Sequence, residues 1–168
     1  ADTVGMRAEA IPSGIDGCSA PNYAMPLSKL AQLYARLAQG SGDPALGSAM
    51  GMLFDAMTGY PDMVSGTART DLHWMTAGGG DWVAKIGAEA VQAIGVRSAG
   101  IGTAIKIADG NSRALHPAVY ATLEQLGLLA RLDAERRAAI EPYRQPLIRN
   151  ARGTEAGDIR TLFTLNPA

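Results

Sequence analysis

An α+β domain, with helices packed on an antiparallel sheet, is the fold class this sequence predicts, and three observations lead there. Apolar residues at helical spacing dominate residues 26–59 and 112–126. Between them lie three runs rich in Val and Ile, joined by connections too short for parallel crossovers. Twenty glycines and an aromatic content of only 5% imply close backbone approaches and Ala, Gly and Met packing. The 168 residues suit a single domain, 1–168, with its own core. Helices, then a meander, then helices again is an order that disfavours a Rossmann domain or a TIM barrel.

Residues 1–26 carry Pro12, Gly14, Gly17, Pro21 and Pro26 with no sustained period, which predicts loops or a short edge strand. Leu27, Leu30, Ala31, Tyr34, Leu37 and Ala38 then follow helical spacing up to the stop signal Gly40. Asp43 before Pro44 predicts a capped second helix with Met50, Leu53, Phe54 and Met57 inward and Gly59 at its end. A shorter helix over 70–77 turns Leu72 and Met75 inward and halts at Gly78, Gly79 and Gly80. The predicted strands are 82–87, 89–96 and 101–108, the last with Ile101, Thr103, Ile105 and Ile107 on one face. A helix over 112–126 aligns Leu115, Val119, Leu123 and Leu126, keeps Pro117 within its first turns and leaves Gly127 past its end. Asp133 predicts the cap of a further short helix. Residues 149–159 read as a polar loop, and 159–165 as a last strand able to return to the sheet.

Composition excludes several classes of function. Fifteen Lys and Arg against sixteen Asp and Glu leave a net charge of -1, which argues against nucleic acid as the main partner. A chain that is 47% hydrophobic and 18% charged is not disordered. No apolar run reaches the ~18 residues of a membrane span, so no membrane partner is expected. The first 25 residues lack the basic start and apolar stretch of a signal peptide. The lone Cys18 makes no internal disulfide, which fits a reducing compartment, and a cytoplasmic location is the expectation.

The common catalytic signatures are absent: no Walker A, GxGxxG, HExxH, CxxC or GxSxG pattern occurs. His73 and His116 belong to no recognisable Ser or Cys catalytic pattern and read as structural. The run from Gly14 through Asp16, Gly17 and Cys18 to Leu27 presents an acid, a thiol and polar groups on a chain stiffened by Gly and Pro, a pre-shaped binding loop. Taken alone, Cys18 fits an inert buried thiol as well as a functional one. Lys85 ends a strand and is followed by Gly87, where a backbone or ligand can come close. A solvated surface charge and a site lysine both fit that position. The run from Ile105 to Gly110 reads as a strand leading into a turn and cap.

These three runs in this order, with Thr67-Ala68-Arg69-Thr70-Asp71-Leu72 between them, resemble the asparaginase II family, the rhizobial-type class 3 L-asparaginases. The matching pieces are the loop Asp16, Gly17, Cys18, Pro21, Ala24, Pro26 and Leu27, the arginine turn, the strand Lys85-Ile86-Gly87-Ala88-Glu89, and the segment from Lys106 to Gly110. The resemblance covers nearly all of the chain but only the C-terminal half of the family, so an N-terminal half, or a second chain, is the expected missing partner.

The resemblance implies a fold similar to serine β-lactamases and glutaminases, in which a serine activated by a Ser-x-x-Lys pair attacks an amide and the acyl-enzyme is hydrolysed. Lys85-Ile86-Gly87 takes the place of the Lys-Thr-Gly-like strand of those enzymes, with Ile86 replacing the usual small or hydroxyl residue. Lys85 is therefore the catalytic candidate, while Asp16, Cys18, Arg69, Gly87 and Glu89 are substrate-binding candidates, with Glu89 placed to orient Lys85. For Arg69 and Asp71, substrate contact and a structural ion pair stand as equal readings. Cys18 is also implied as a metal ligand, and zinc as cofactor only if the other half brings three more ligands. No serine in the chain has a lysine three residues later, so the nucleophile is expected outside it and this chain alone is expected to be inactive. L-asparagine is the implied substrate; glutamine, a peptide-like amide or a β-lactam keeps the chemistry, and a non-catalytic amino-acid-binding or interaction module abandons it. An uncovered apolar face would favour a homo-oligomer.

Overall fold

The computed structural model describes residues 1–166. Its first segment is anchored to a helix: the Arg36 guanidinium donates to the carbonyls of Asp2 and Thr3 at 2.8 and 2.6 Å, and Val4 is buried. A small exposed hairpin follows, pairing β1 (Ser13–Ile15) with β2 (Pro21–Tyr23). Helix α1 (Leu27–Gln39) ends at Gly40, whose φ of 57° suits a residue without a side chain.

Helix α2 spans Gly47–Gly59, so it begins later than the Asp43-Pro44 pair suggested. The Asp43 carboxylate instead closes a turn, accepting from the N–H groups of Ala45 and Leu46 at 3.0 and 2.8 Å while Arg36 grips both its oxygens. The inward stripe of α2 is Met50, Phe54 and Met57; Leu53, expected inside, is 50% exposed. A short helix, α3 (Pro61–Ser65), and α4 (Thr70–Gly78) come next, with Gly79 in the left-handed region as the stop.

The central sheet is antiparallel in the order β3 (Trp82–Gly87), β4 (Val91–Val96), β5 (Ile101–Lys106), and Lys85, Ala93 and Ala104 lie opposite one another across it. β4 starts at Val91 and not at Glu89, because Glu89 and Ala90 take φ values of 54° and 58° and form the turn. The third strand stops at Lys106, short of the expected Ala108, and Gly110 N–H closes a turn onto the Ile107 carbonyl. Strand alternation divides the core between two faces. Val83 packs with Leu37, Ala38, Met50 and Phe54 of α1 and α2, whereas Trp82, Ala84, Ile94 and Val96 join Trp74 and Met75 of α4 on the other side. Gly95 and Gly102 allow α1 to lie directly on β4 and β5: a Cβ at either would come within 2.3 Å of the Tyr34 carbonyl oxygen or 2.0 Å of that of Ala31.

Helix α5 (Ser112–Gln125) is capped by the Asn111 side chain and buries Leu115, Val119 and Leu123 completely. Pro117 falls in the second turn of this helix, within the first turns as expected, whereas Leu126 lies beyond its end at 39% exposure, a departure from the expected stripe. Helix α6 (Ala134–Ile140) is capped by Asp133 as predicted. The polar stretch expected as a loop instead forms a second hairpin of β6 (Leu147–Arg149) and β7 (Glu155–Asp158). Residues 161–166 carry no regular structure, so the expected final strand is not formed. The Gln125 side chain takes up this segment, donating to the Phe163 carbonyl at 3.2 Å and accepting from Leu165 N–H at 2.8 Å. Those bonds satisfy backbone groups that a strand partner would otherwise serve. The architecture is α+β, and among the described residues no helix is long and apolar enough to cross a membrane.

Candidate active site

β3 is an edge strand, and an edge N–H that is shielded from water needs an acceptor from elsewhere. Asp71, in the first turn of α4 and with no exposed side-chain surface, supplies it. Its Oδ2 accepts from Ile86 N–H at 2.8 Å and its Oδ1 accepts from the buried Gln92 amide at 2.9 Å. Lys85 Nζ lies 3.7 Å from the same Oδ2 and donates to the Ile86 carbonyl at 2.7 Å. The Lys85 side chain is therefore fastened at both flanks of Ile86 while 44% of its surface remains open.

That open surface faces a cleft of about 500 Å³ lined by Arg69, Thr70, Lys85, Gly87, Ser112 and His116. Arg69 stands at the start of α4 and is exposed. Ser112 and His116 come from the N-terminal half of α5. A second groove of about 600 Å³ lies on the other side of the β3–β4 turn, sharing Gly87 and Ala88 with the first and lined also by Tyr23, Met25, Leu27 and Lys106. The exit of the first hairpin is thereby brought beside the end of β3.

His116 is half-buried. Burial pushes its imidazole below the ordinary value, against an opposing pull from the Asp71 charge. The Tyr34 hydroxyl is pushed up to about 12, by burial first and then by Asp71. Burial also raises Tyr143, so these phenols carry no charge near neutrality. Tyr143 is the hub of an aromatic cluster: it is hydrogen-bonded to Nδ1 of His73, and its ring centroid lies 5.3 Å from that of His116 and 5.0 Å from that of Trp74. Two cations, two hydroxyls and an imidazole converge on one cleft, an arrangement suited to the oxygens of a small carboxylate or amide.

A family model described as L-asparaginase II matches residues 1–161. The chain belongs to the L-asparaginase II family. No curated protein matches it significantly.

In this L-asparaginase II family member, the residues singled out from sequence fall into two groups. Lys85, Arg69 and Gly87 share the cleft. Asp16 and Cys18 occupy the exposed tip of the first hairpin and line neither cleft nor groove. There Asp16 Oδ1 accepts from the N–H groups of Cys18 and Ala20 at 2.8 and 3.0 Å, and Ser19 adopts a φ of 62°. Glu89 does not orient Lys85: it sits in the β3–β4 turn, where its carbonyl accepts from Lys106 at 2.8 Å, and the acid beside Lys85 is Asp71. Of the arginine turn, Asp71 makes its ion pair with Lys85 and none with Arg69 among the described residues.

The donor set does not make a zinc site. Cys18 is the sole thiol of the chain, and no three His, Cys, Asp or Glu side chains gather around a common point among the described residues. His116 reads as structural in sequence because, Ser112 apart, the groups it meets in the cleft come from α4 and β3 and reach it only through the tertiary fold.

Proposed function

We propose that this chain forms one wall of an amide-hydrolysing site of the asparaginase type, converting L-asparagine to L-aspartate and ammonia. The observation that carries the reading is Lys85, held by the buried Asp71 at the edge of β3 and open to the cleft it shares with Arg69. The Arg69 guanidinium receives the substrate α-carboxylate through charge-assisted hydrogen bonds. Lys85, standing next to the scissile carboxamide, moves the proton that the leaving ammonia takes up. The attacking hydroxyl comes from a serine outside this chain, borne by the N-terminal half that the family resemblance implies, in a fold similar to that of the serine β-lactamases. Its oxygen bonds to the carboxamide carbon, ammonia departs, and water then cleaves the resulting ester to release aspartate.

A second reading is a non-catalytic module that holds an amino acid. It is favoured by Ser112, the one serine lining the cleft, whose hydroxyl has no hydrogen-bonded base among the described residues. Ammonia release from L-asparagine separates the two readings. Under the first, the chain alone is silent and turnover appears when an N-terminal half of the family is supplied, with Lys85→Met lowering the rate about 10²-fold. Undiminished turnover in that variant removes Lys85 from the chemistry, and tight binding without ammonia in the complete assembly selects the second reading.

A further inference from the structure

The cleft has a feature that neither cation explains. Nδ1 of His116 is sealed from solvent and has no hydrogen-bond partner among the described residues. Nε2 is not sealed in this way, and His116 lines both this cleft and a neighbouring hollow walled by Tyr143, Leu147 and Ile148, so of the two ring nitrogens Nε2 is the one open to a ligand. A neutral imidazole carries one N–H and one lone pair, and the proton resides where its hydrogen bond can be made. An N–H buried without an acceptor is rarer in folded proteins than an under-satisfied acceptor, which leaves the lone pair on the sealed Nδ1 and the proton on Nε2. The ring is held in place by its tilted contact with Tyr143, which is itself tethered by His73. The charged and titratable groups around it are Asp71 and His73 of α4, Lys85 of β3, Arg69 ahead of α4, and Tyr143.

We propose that His116 is a third donor of the cleft beside Lys85 and Arg69, offering Nε2–H to a carboxylate or carboxamide oxygen of the bound substrate. This inference rests on the reading of the cleft as an amide or carboxylate site, but it adds a residue that the reading does not require. His116 touches substrate in this scheme and positions it; the proton chemistry stays with Lys85. A hydrogen bond of this kind contributes on the order of tenfold in affinity.

The test is a long-range proton–nitrogen spectrum of the nitrogen-15-labelled chain near neutral pH, recorded with and without an excess of L-aspartate. The expected result is the Nε2–H tautomer at His116 and a shift of its Nε2 signal on adding L-aspartate. Binding should weaken about tenfold in His116→Phe and be largely restored in His116→Gln, which keeps an amide donor. An Nδ1–H tautomer overturns the inference on the unmodified protein, with no variant needing to fold. If L-aspartate moves the Lys85 and Arg69 signals but not that of His116, or if His116→Phe binds it as well as wild type, His116 leaves the site while the cleft reading survives. If no cleft residue responds even with an N-terminal half of the family supplied, both fall together.

Discussion

Nζ of Lys85 lies 3.7 Å from Oδ2 of Asp71, and the two partners are unequal: the acid has no exposed surface, while the lysine side chain is 44% open. Removing the acid leaves Ile86 N–H without an acceptor and the buried Gln92 amide with only its 3.3 Å bond to the Ala93 carbonyl, and each lost partner costs about 1–3 kcal/mol. Removing the lysine breaks a half-exposed ion pair worth about 1 kcal/mol or less. Asp71→Ala is therefore expected to lower the unfolding free energy by about 2–4 kcal/mol, and Lys85→Met by less than about 1 kcal/mol. Urea titrations of both variants measure this directly, and equal losses would contradict the asymmetry. The comparison also matters for function, because a well-folded Lys85→Met protein makes its activity interpretable.

The contact of α1 with the sheet is written in two glycines. A methyl group on Gly95 or Gly102 would meet the carbonyl oxygens of Tyr34 and Ala31 at 2.3 and 2.0 Å, distances that force the helix to move. Gly95→Ala and Gly102→Ala should each destabilise by about 1–3 kcal/mol through overpacking. Gly157→Ala, where no atom lies within 4 Å of the added carbon, serves as the control and should stay within about 0.5 kcal/mol of wild type. Thermal unfolding followed by circular dichroism distinguishes the two sets.

Most of this architecture is legible in the residue pattern. The bounds of β3, the stop of α1 at Gly40 and the Asp133 cap follow from local chemistry, which does not depend on the rest of the fold. Where local pattern and structure part, a distant partner intervenes. Asp43 before Pro44 looks the same whether the carboxylate caps a helix or a turn, and Arg36, seven residues earlier, decides for the turn. The segment after Ile159 has the composition of a strand, yet the Gln125 amide holds its backbone at the end of α5. In the site, Lys85, Arg69 and Gly87 were legible because their run and the arginine turn stand out along the chain. The service of Asp71 to an edge strand and the place of His116 in the cleft were not, since each depends on α4, α5 and β3 meeting.

Asp43 also carries a pH signature. The Arg36 guanidinium, then the N–H of Leu46, hold its carboxyl well below the usual carboxylate range. A folded-state value below the unfolded one means that the ionised pair contributes its full stability above about pH 4 and loses it as the pH falls from there. Wild type should therefore lose stability more steeply than Asp43→Asn between about pH 4 and pH 2, while the two curves run parallel above about pH 5. Chemical denaturation at a series of pH values tests the sign, and parallel curves in acid would show that the pair is not the source.

The tip of the first hairpin is organised by one carboxylate and little else. Asp16 Oδ1 receives the N–H groups of Cys18 and Ala20, and Ser19 is held at a φ of 62°, a region that side chains other than glycine enter at some cost. Every residue of β1 and β2 is exposed, so the turn contributes little to global stability. Asp16→Ala should speed amide hydrogen exchange at Cys18 and Ala20 by about tenfold while changing the unfolding free energy by less than about 0.5 kcal/mol. Ser19→Gly, which relieves the backbone at the same point, should leave both quantities close to wild type, because the gain in ease is offset by the greater freedom of glycine in the unfolded chain. A large global loss in Asp16→Ala would mean that the hairpin is docked more firmly than its exposure implies, and that the acid at 16 shapes the groove beside Gly87 as well as its own turn.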